Sequence, residues 1–108
     1  MTVEEACLVL RGWADSKARL RVLLRALGTK IFFAGFCSLI HADEDTVALW
    51  VENTGKTCGL EISLDGCTCE FVDAPEENRE HPKGGAVESC ILALCPEFEC
   101  FFMCMSDE

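Results

Sequence analysis

The sequence predicts a mainly β (α+β) fold: a small antiparallel β-barrel or strongly bent sheet of about 5–7 strands with one N-terminal helix. Short runs of alternating apolar and polar residues recur along most of the chain, and turn residues separate them roughly every 8–12 positions. A helix-capping pattern stands at the start of the chain. The chain has 108 residues, and half of them are hydrophobic, which is enough to form one hydrophobic core. We therefore expect a single domain over 1–108.

The first element is predicted to be a helix over about 2–14. Thr2 and Glu5 have the spacing of a capping box, in which each side chain accepts a hydrogen bond from the other residue's backbone N–H. Leu8, Leu10 and Trp13 are expected to cover one face of the sheet.

The segment 17–27 fits two interpretations. Leucines at helical spacing, followed by Gly28, are typical of a helix with a glycine just past its end. The alternation over 19–22 indicates a strand instead, which a short turn at 27–30 would pair with the next strand. We adopt the strand interpretation, and the helix remains an open alternative.

The β region is expected to extend over about 18–105. Aromatic and β-branched residues predict a strand near 31–40, apolar alternation predicts strands near 47–51 and 60–64, and the chain is expected to return as a strand over 67–72. A hairpin turn is predicted at 53–56 and a second at Asp65-Gly66. A two-residue turn at Asp65-Gly66 would place Leu64 opposite Cys67, so that Cys67 and Cys69 would be buried, unreactive thiols. The polar stretch 73–86 is predicted to be an exposed loop.

A final hairpin is predicted from 87–95 and 97–105, turning at Pro96-Glu97. This register places Ala93 opposite Cys100 and Ser89 opposite Cys104. Both faces of the hairpin are apolar, and a single short helix can cover only one of them. We therefore predict a homodimer that buries the residues of the second face. They are Leu92, Leu94, Phe101 and Met103.

Nine cysteines suggest a metal site or a redox site, but their spacing disfavours the metal. Zinc sites commonly have cysteine pairs separated by two to four residues, with all ligands around one ion. The predicted register distributes the last four cysteines over two faces, so we expect no metal and no cofactor. Cys95 and Cys100 become diagonal neighbours, a candidate regulatory thiol pair.

The net charge of −10 argues against nucleic acid and anionic membranes as partners, since both are bound by clustered Lys and Arg. The N-terminus has no cationic region of a signal peptide, and the longest apolar run is too short to span a bilayer. These features predict a cytoplasmic protein with reduced thiols. No phosphate-binding loop or nucleophile elbow is present, and His41 and His81 are the only histidines, so we expect no enzyme.

One pair of motifs resembles PilZ domains, small β-barrels that bind cyclic diguanylate. Arg21 and Arg25 have the spacing of that family's RxxxR segment, and Glu61, Ser63 and Gly66 match its downstream [D/N]xSxxG motif, with Glu61 in place of Asp or Asn. The resemblance implies that the arginines hold phosphates and guanine edges while the second motif shapes the pocket. If the two arginines do not form a ligand site, we expect them to be surface charges.

The main interpretation is a non-enzymatic small β-domain that acts in protein–protein interaction or self-association. A PilZ-like cyclic-dinucleotide binding module is one alternative, and a thiol- or metal-dependent sensor is another.

Overall fold

A computed structural model describes residues 1–26, 28–42, 46–53, 55–74, 80–81 and 85–105. Over the second strand and at a few other positions only the backbone is described.

The described chain contains one helix and eight strands, and the strands pair in antiparallel fashion. This confirms the predicted mainly β (α+β) class, with one strand more than the predicted 5–7. The helix is α1 (Val3–Asp15), and the strands are β1 (Arg19–Ala26), β2 (Thr29–Ala42), β3 (Thr46–Asn53), β4 (Lys56–Ser63), β5 (Thr68–Phe71), β6 (Glu80–His81), β7 (Gly85–Leu94) and β8 (Glu99–Met105). The short strand β6 lies within the stretch predicted as a loop, and Pro75 to Arg79 lie outside the described residues.

The helix begins where the sequence predicts. The Glu5 N–H donates to the Thr2 hydroxyl (3.1 Å) and the Thr2 N–H donates to a Glu5 carboxylate oxygen (3.2 Å), which completes the capping box. The helix buries Leu10, whereas Leu8 is 63% exposed and the prediction that it covers the sheet is wrong. Within the described residues, no helix has the length and apolar character needed to cross a bilayer.

The ambiguous segment is strand β1, as the adopted interpretation predicts. It pairs with β2 on one side, from Arg19 opposite Phe36 to Ala26 opposite Thr29, and with β8 on the other. Pairing on both edges outweighs the helical preference of its leucines, because intrinsic propensity is a weak term beside tertiary packing.

The strands of the main sheet follow the order β4-β3-β2-β1-β8-β7-β5, and β6 pairs with β7 beside this path. The hairpin predicted at 53–56 joins β3 and β4. The chain turns at Asp65-Gly66, where Gly66 has a φ of 74° and the Cys67 N–H donates to the Leu64 carbonyl (3.0 Å). However, β4 and β5 are not paired to each other in the described backbone, and β5 pairs with β7. The predicted register across this turn is therefore wrong, and the sheet is bent without closing into a barrel.

The C-terminal hairpin has the predicted register. Ala93 lies opposite Cys100 and Ser89 opposite Cys104, and the Cys95 N–H donates to the Phe98 carbonyl (2.9 Å) across the turn.

Each face of the sheet carries its own apolar cluster. The inner cluster lies between the sheet and α1. Its buried members are Ala6, Cys7, Leu10, Leu20, Val22, Val47, Leu49, Ile62, Leu64, Cys69, Ile91, Ala93, Cys100 and Phe102. The outer cluster is smaller and is partly covered by the segment that follows β5. Its buried members are Leu23, Ala74, Cys90, Phe101, Met103 and Met105.

Candidate functional site

A groove with a volume of about 350 Å³ lies at one end of the bent sheet. One wall is β4, and the other side consists of the end of β1 and the turn between β7 and β8. The lining residues are Leu24, Ala26, Leu60, Glu61, Ile62, Ser63, Glu97 and Phe98.

The lining residues from β4 show the direction of the groove relative to that strand. Four consecutive residues, Leu60 to Ser63, line it. Successive side chains of a strand point to opposite faces, so a groove that touches four in a row follows the edge of the strand. β3 pairs with β4 on one side, and on the other side no described strand pairs with residues 60–63. The groove therefore runs along a strand edge whose outward backbone groups can bond to another chain.

The groove is apolar inside and acidic at its surface. Leu24, Leu60 and Phe98 are partly buried and pack against the inner cluster. Glu61 and Glu97 are exposed, and they are the charged residues of the lining. Such a surface suits a ligand with apolar side chains and positive charge.

A disulfide bond between Cys67 and Cys95 lies beside this groove. Cys67 follows the turn after β4, and Cys95 opens the turn that carries Glu97 and Phe98. The prediction that Cys67 is a buried thiol is wrong, as is the expectation that all thiols are reduced. Cys95 is bonded to Cys67 and not paired with Cys100, so the predicted thiol pair is also wrong.

Among the cysteines whose side chains the structure describes, those outside this disulfide are all buried: Cys7, Cys69, Cys90, Cys100 and Cys104. Cys69 agrees with the prediction of a buried thiol. Burial, together with the Asp73 carboxylate, raises the pKa of Cys90 to about 11. Burial also raises the pKa values of Cys69 and Cys100. Since the thiolate is the reactive form, these residues are poor nucleophiles.

The residues of the PilZ-like motifs fall into two groups. Glu61 and Ser63 line the groove, and Gly66 lies in the turn just after it. Arg21 and Arg25 do not line the groove.

The two arginines share the outer face of β1. Arg21 is 6% exposed, so its interpretation as a surface charge is wrong, and burial is the main cause that lowers its pKa. Arg25 donates to a Glu99 carboxylate oxygen (3.3 Å), and its guanidinium lies 5.6 Å from the centre of the Phe101 ring.

The predicted dimer interface is only partly exposed. Met103 is fully buried and Phe101 is 8% exposed within the single chain, because Ala74 and the start of the predicted loop pack on the outer cluster. Leu94 is 51% exposed and Leu92 is partly exposed. The chain thus covers half of the surface for which a second copy was expected.

The described residues contain no group of three or more His, Cys, Asp or Glu side chains placed to hold a metal ion. The side chains of His41 and His81 lie outside what the structure describes.

The sequence did not predict the groove, because the register assumed at Asp65-Gly66 paired β4 with β5 and left no open edge. The nearest indication is the pair of acidic residues at the predicted strand and turn, Glu61 and Glu97.

Fold and site together define a small, cysteine-rich, mainly β domain with a groove along one sheet edge. No protein-family model, curated protein or solved structure matches the chain.

Proposed function

We propose that this domain is non-enzymatic and acts in protein–protein interaction by binding an extended, basic segment of a partner along the groove at β4. The observation that carries the proposal is the run of four consecutive β4 residues along an open groove. An extended segment can add to such an edge as a further strand, and its backbone hydrogen bonds then supply affinity.

Specificity would come from the side chains of the bound segment. In a strand, alternate side chains point the same way, so one set can enter the apolar floor formed by Leu24, Leu60 and Phe98. The other set meets Glu61 and Glu97 at the rim. Because the whole chain also carries a net charge of −10, a basic segment is favoured over an acidic one.

A short synthetic peptide of alternating lysine and valine tests the proposal. We expect the amide NMR signals of residues 60–63 and 97–98 to shift on its addition. A peptide with glutamate in place of lysine should bind more weakly, and N-methylation of the lysine–valine backbone should abolish binding because it removes strand hydrogen bonds. Shifts confined to other surfaces, or equal binding of all three peptides, would contradict the proposal.

A charge-reversed variant tests the rim directly. Glu61→Lys with Glu97→Lys should weaken binding of the lysine–valine peptide by about fivefold or more, since exposed charge pairs contribute up to about 1 kcal/mol. Glu52→Lys with Glu70→Lys is the matched control, because both residues are exposed on strands and neither lines the groove. An equal loss in the control would indicate a general charge effect.

A second proposal is a homodimer, which the half-exposed Leu94 supports. In this proposal Leu92 and Leu94 contact a second copy of the chain, while Phe101 and Met103 pack beneath them within the same chain.

A cytoplasmic location also stays a prediction.

Cyclic-dinucleotide binding at Arg21, Arg25, Glu61, Ser63 and Gly66 stays a prediction based on the PilZ resemblance. A dianionic ligand in the groove would meet two carboxylates, and the arginines that should neutralise it do not line the groove. These features favour the peptide over the nucleotide.

A further inference from the structure

The Cys67–Cys95 bond stands at the end of a β ladder. Thr68 pairs with Leu94 at the last register position of β5 and β7, and the two cysteines are the next residues on either side. Strand pairing thus holds the two sulfurs near each other whether or not they are bonded. Proximity of this kind favours re-formation of a bond after it has been broken.

The position of the bond also makes it accessible. Cys67 and Cys95 are partly exposed, whereas the other cysteines whose side chains the structure describes are buried. Thiol–disulfide exchange requires an attacking thiolate to reach a sulfur atom, and a buried thiol neither reaches it nor ionises readily. The buried cysteines therefore cannot compete with a small thiol from solution.

Each turn keeps its own closure without the bond. The Cys67 N–H donates to the Leu64 carbonyl and the Cys95 N–H to the Phe98 carbonyl, so both turns stay closed when the sulfurs separate. Reduction then removes a covalent link between two local structures that are already formed.

We propose that Cys67 and Cys95 form a reversible exchange site for low-molecular-weight thiols of the glutathione class. This site is distinct from peptide binding and does not rest on it. The bond joins the turn after β4 to the turn that carries Glu97 and Phe98, so it links the two segments on either side of the groove.

The exchange proceeds in two balanced steps. The thiolate of one small thiol attacks one sulfur of the pair, a mixed disulfide forms, and the other cysteine leaves with the bonding electrons and takes a proton. A second small thiolate attacks the sulfur of the small thiol in the mixed disulfide, and the remaining cysteine leaves and is protonated. In total, two small thiols are oxidised to one small disulfide, and the protein disulfide is reduced to two thiols.

Equilibration of the full chain in buffers of reduced and oxidised glutathione tests the proposal. After acid quenching and thiol labelling, peptide mapping by mass spectrometry reports the state of each cysteine. We expect the bond to be lost at high reduced glutathione and regained at high oxidised glutathione, while the amide signals of the buried strands β1 and β8 stay in place.

Two variants refine the test. Cys67→Ser leaves Cys95 without its partner and should take up one glutathione at Cys95 in the oxidised buffer. Cys69→Ala is the matched control, since it removes a buried thiol two positions away and should leave the exchange unchanged.

Three results would overturn the proposal. The pair could stay bonded in the reducing buffer until denaturant is added, which would make the bond purely structural. It could fail to form in the oxidised buffer. The exchange could also occur at Cys37 or Cys58, whose side chains the structure does not describe, with Cys67 and Cys95 unaffected.

Discussion

At the residue scale, burial decides which of the chemically capable side chains can react. Cys90 and Cys100 lie inside the two apolar clusters, and burial raises both of their pKa values. Cys67 and Cys95 stand at the end of a ladder where solvent reaches them. The same residue type therefore serves as core filling at one position and as a cross-link at another.

The disulfide should stabilise the fold. Replacing both partners, Cys67→Ser with Cys95→Ser, removes a cross-link over a sequence separation of 28 residues. We expect the free energy of unfolding to fall by about 2–4 kcal/mol, mainly because the unfolded chain gains freedom. Urea unfolding of the oxidised proteins measures this difference.

Reductant provides the control for that measurement. It should bring the wild-type protein to the stability of the double variant and leave the variant unchanged. Equal stability of both proteins under oxidising conditions would contradict the expectation.

Two phenylalanines of opposite exposure test the packing. Phe102 is fully buried in the inner cluster, so Phe102→Ala should lower the free energy of unfolding by about 3–5 kcal/mol. Phe71 is 57% exposed on β5, so Phe71→Ala should lower the free energy of unfolding by less than about 0.5 kcal/mol. Similar losses for the two variants in urea unfolding would contradict the exposure of Phe71 on β5.

At the element scale, capping hydrogen bonds define where the helix begins. The spacing of its apolar residues determines which face packs on the sheet. Thr2 and Glu5 satisfy backbone N–H groups that the first turn leaves without partners inside the helix. Buried Ala6, Cys7 and Leu10 have the spacing of one helix face, which packs on the inner cluster.

The capping box leads to two predictions, one for the stability of a variant and one for the dependence of stability on pH. Thr2→Ala should lower the free energy of unfolding by about 1 kcal/mol. The hydrogen bond from the Thr2 backbone N–H, followed by one from the Thr2 side chain, lowers the pKa of Glu5 below its ordinary value. The stabilisation from Glu5 is therefore complete above that ordinary value and is lost as the pH falls through the lowered pKa.

Glu5→Gln should flatten the dependence of stability on pH in the acid range, because it removes the carboxyl whose pKa the Thr2 backbone N–H lowers, and urea unfolding at a series of pH values measures this dependence. Glu4→Gln is the control, since Glu4 lies in the same turn outside the capping box. An unchanged acid dependence in Glu5→Gln would show that the hydrogen bond to the Glu5 carboxylate is not formed in solution.

At the scale of the whole molecule, the bent sheet leaves β4 and β5 as its two edges. An edge strand exposes backbone groups that another chain can pair with, and natural proteins usually protect such edges. At β5 the chain is cross-linked next to the edge by the disulfide, whereas residues 60–63 of β4 face the groove. Binding along β4 and self-association on the outer face are therefore separate properties that mutations can distinguish.

Sedimentation tests the proposed homodimer. Leu94→Glu places a charge at a half-exposed position on the outer face and should convert a wild-type dimer into a folded monomer. Leu8→Glu is the control, because Leu8 is also exposed but lies on the helix. A wild-type chain that sediments as a monomer at high concentration would contradict the proposed dimer. It would leave the proposal of peptide binding along β4 unaffected.

The sequence by itself determined what depends on neighbours along the chain. The capping box at Thr2 and the register of the C-terminal hairpin follow from local hydrogen bonding and from alternation across a short turn. The mainly β class follows from the same period of two.

Only the tertiary structure decided which strands meet. Local geometry allows Asp65-Gly66 to close a hairpin, but β5 pairs with β7, which brings Cys67 to Cys95 and leaves the edge of β4 open. Similarly, the burial of Met103 depends on the segment that follows β5, which is distant from Met103 in the chain and packs on the outer face. Pairing between distant strands is set by total burial of apolar surface, which no local pattern contains. The groove and the disulfide, both products of that pairing, could therefore not be predicted from the sequence.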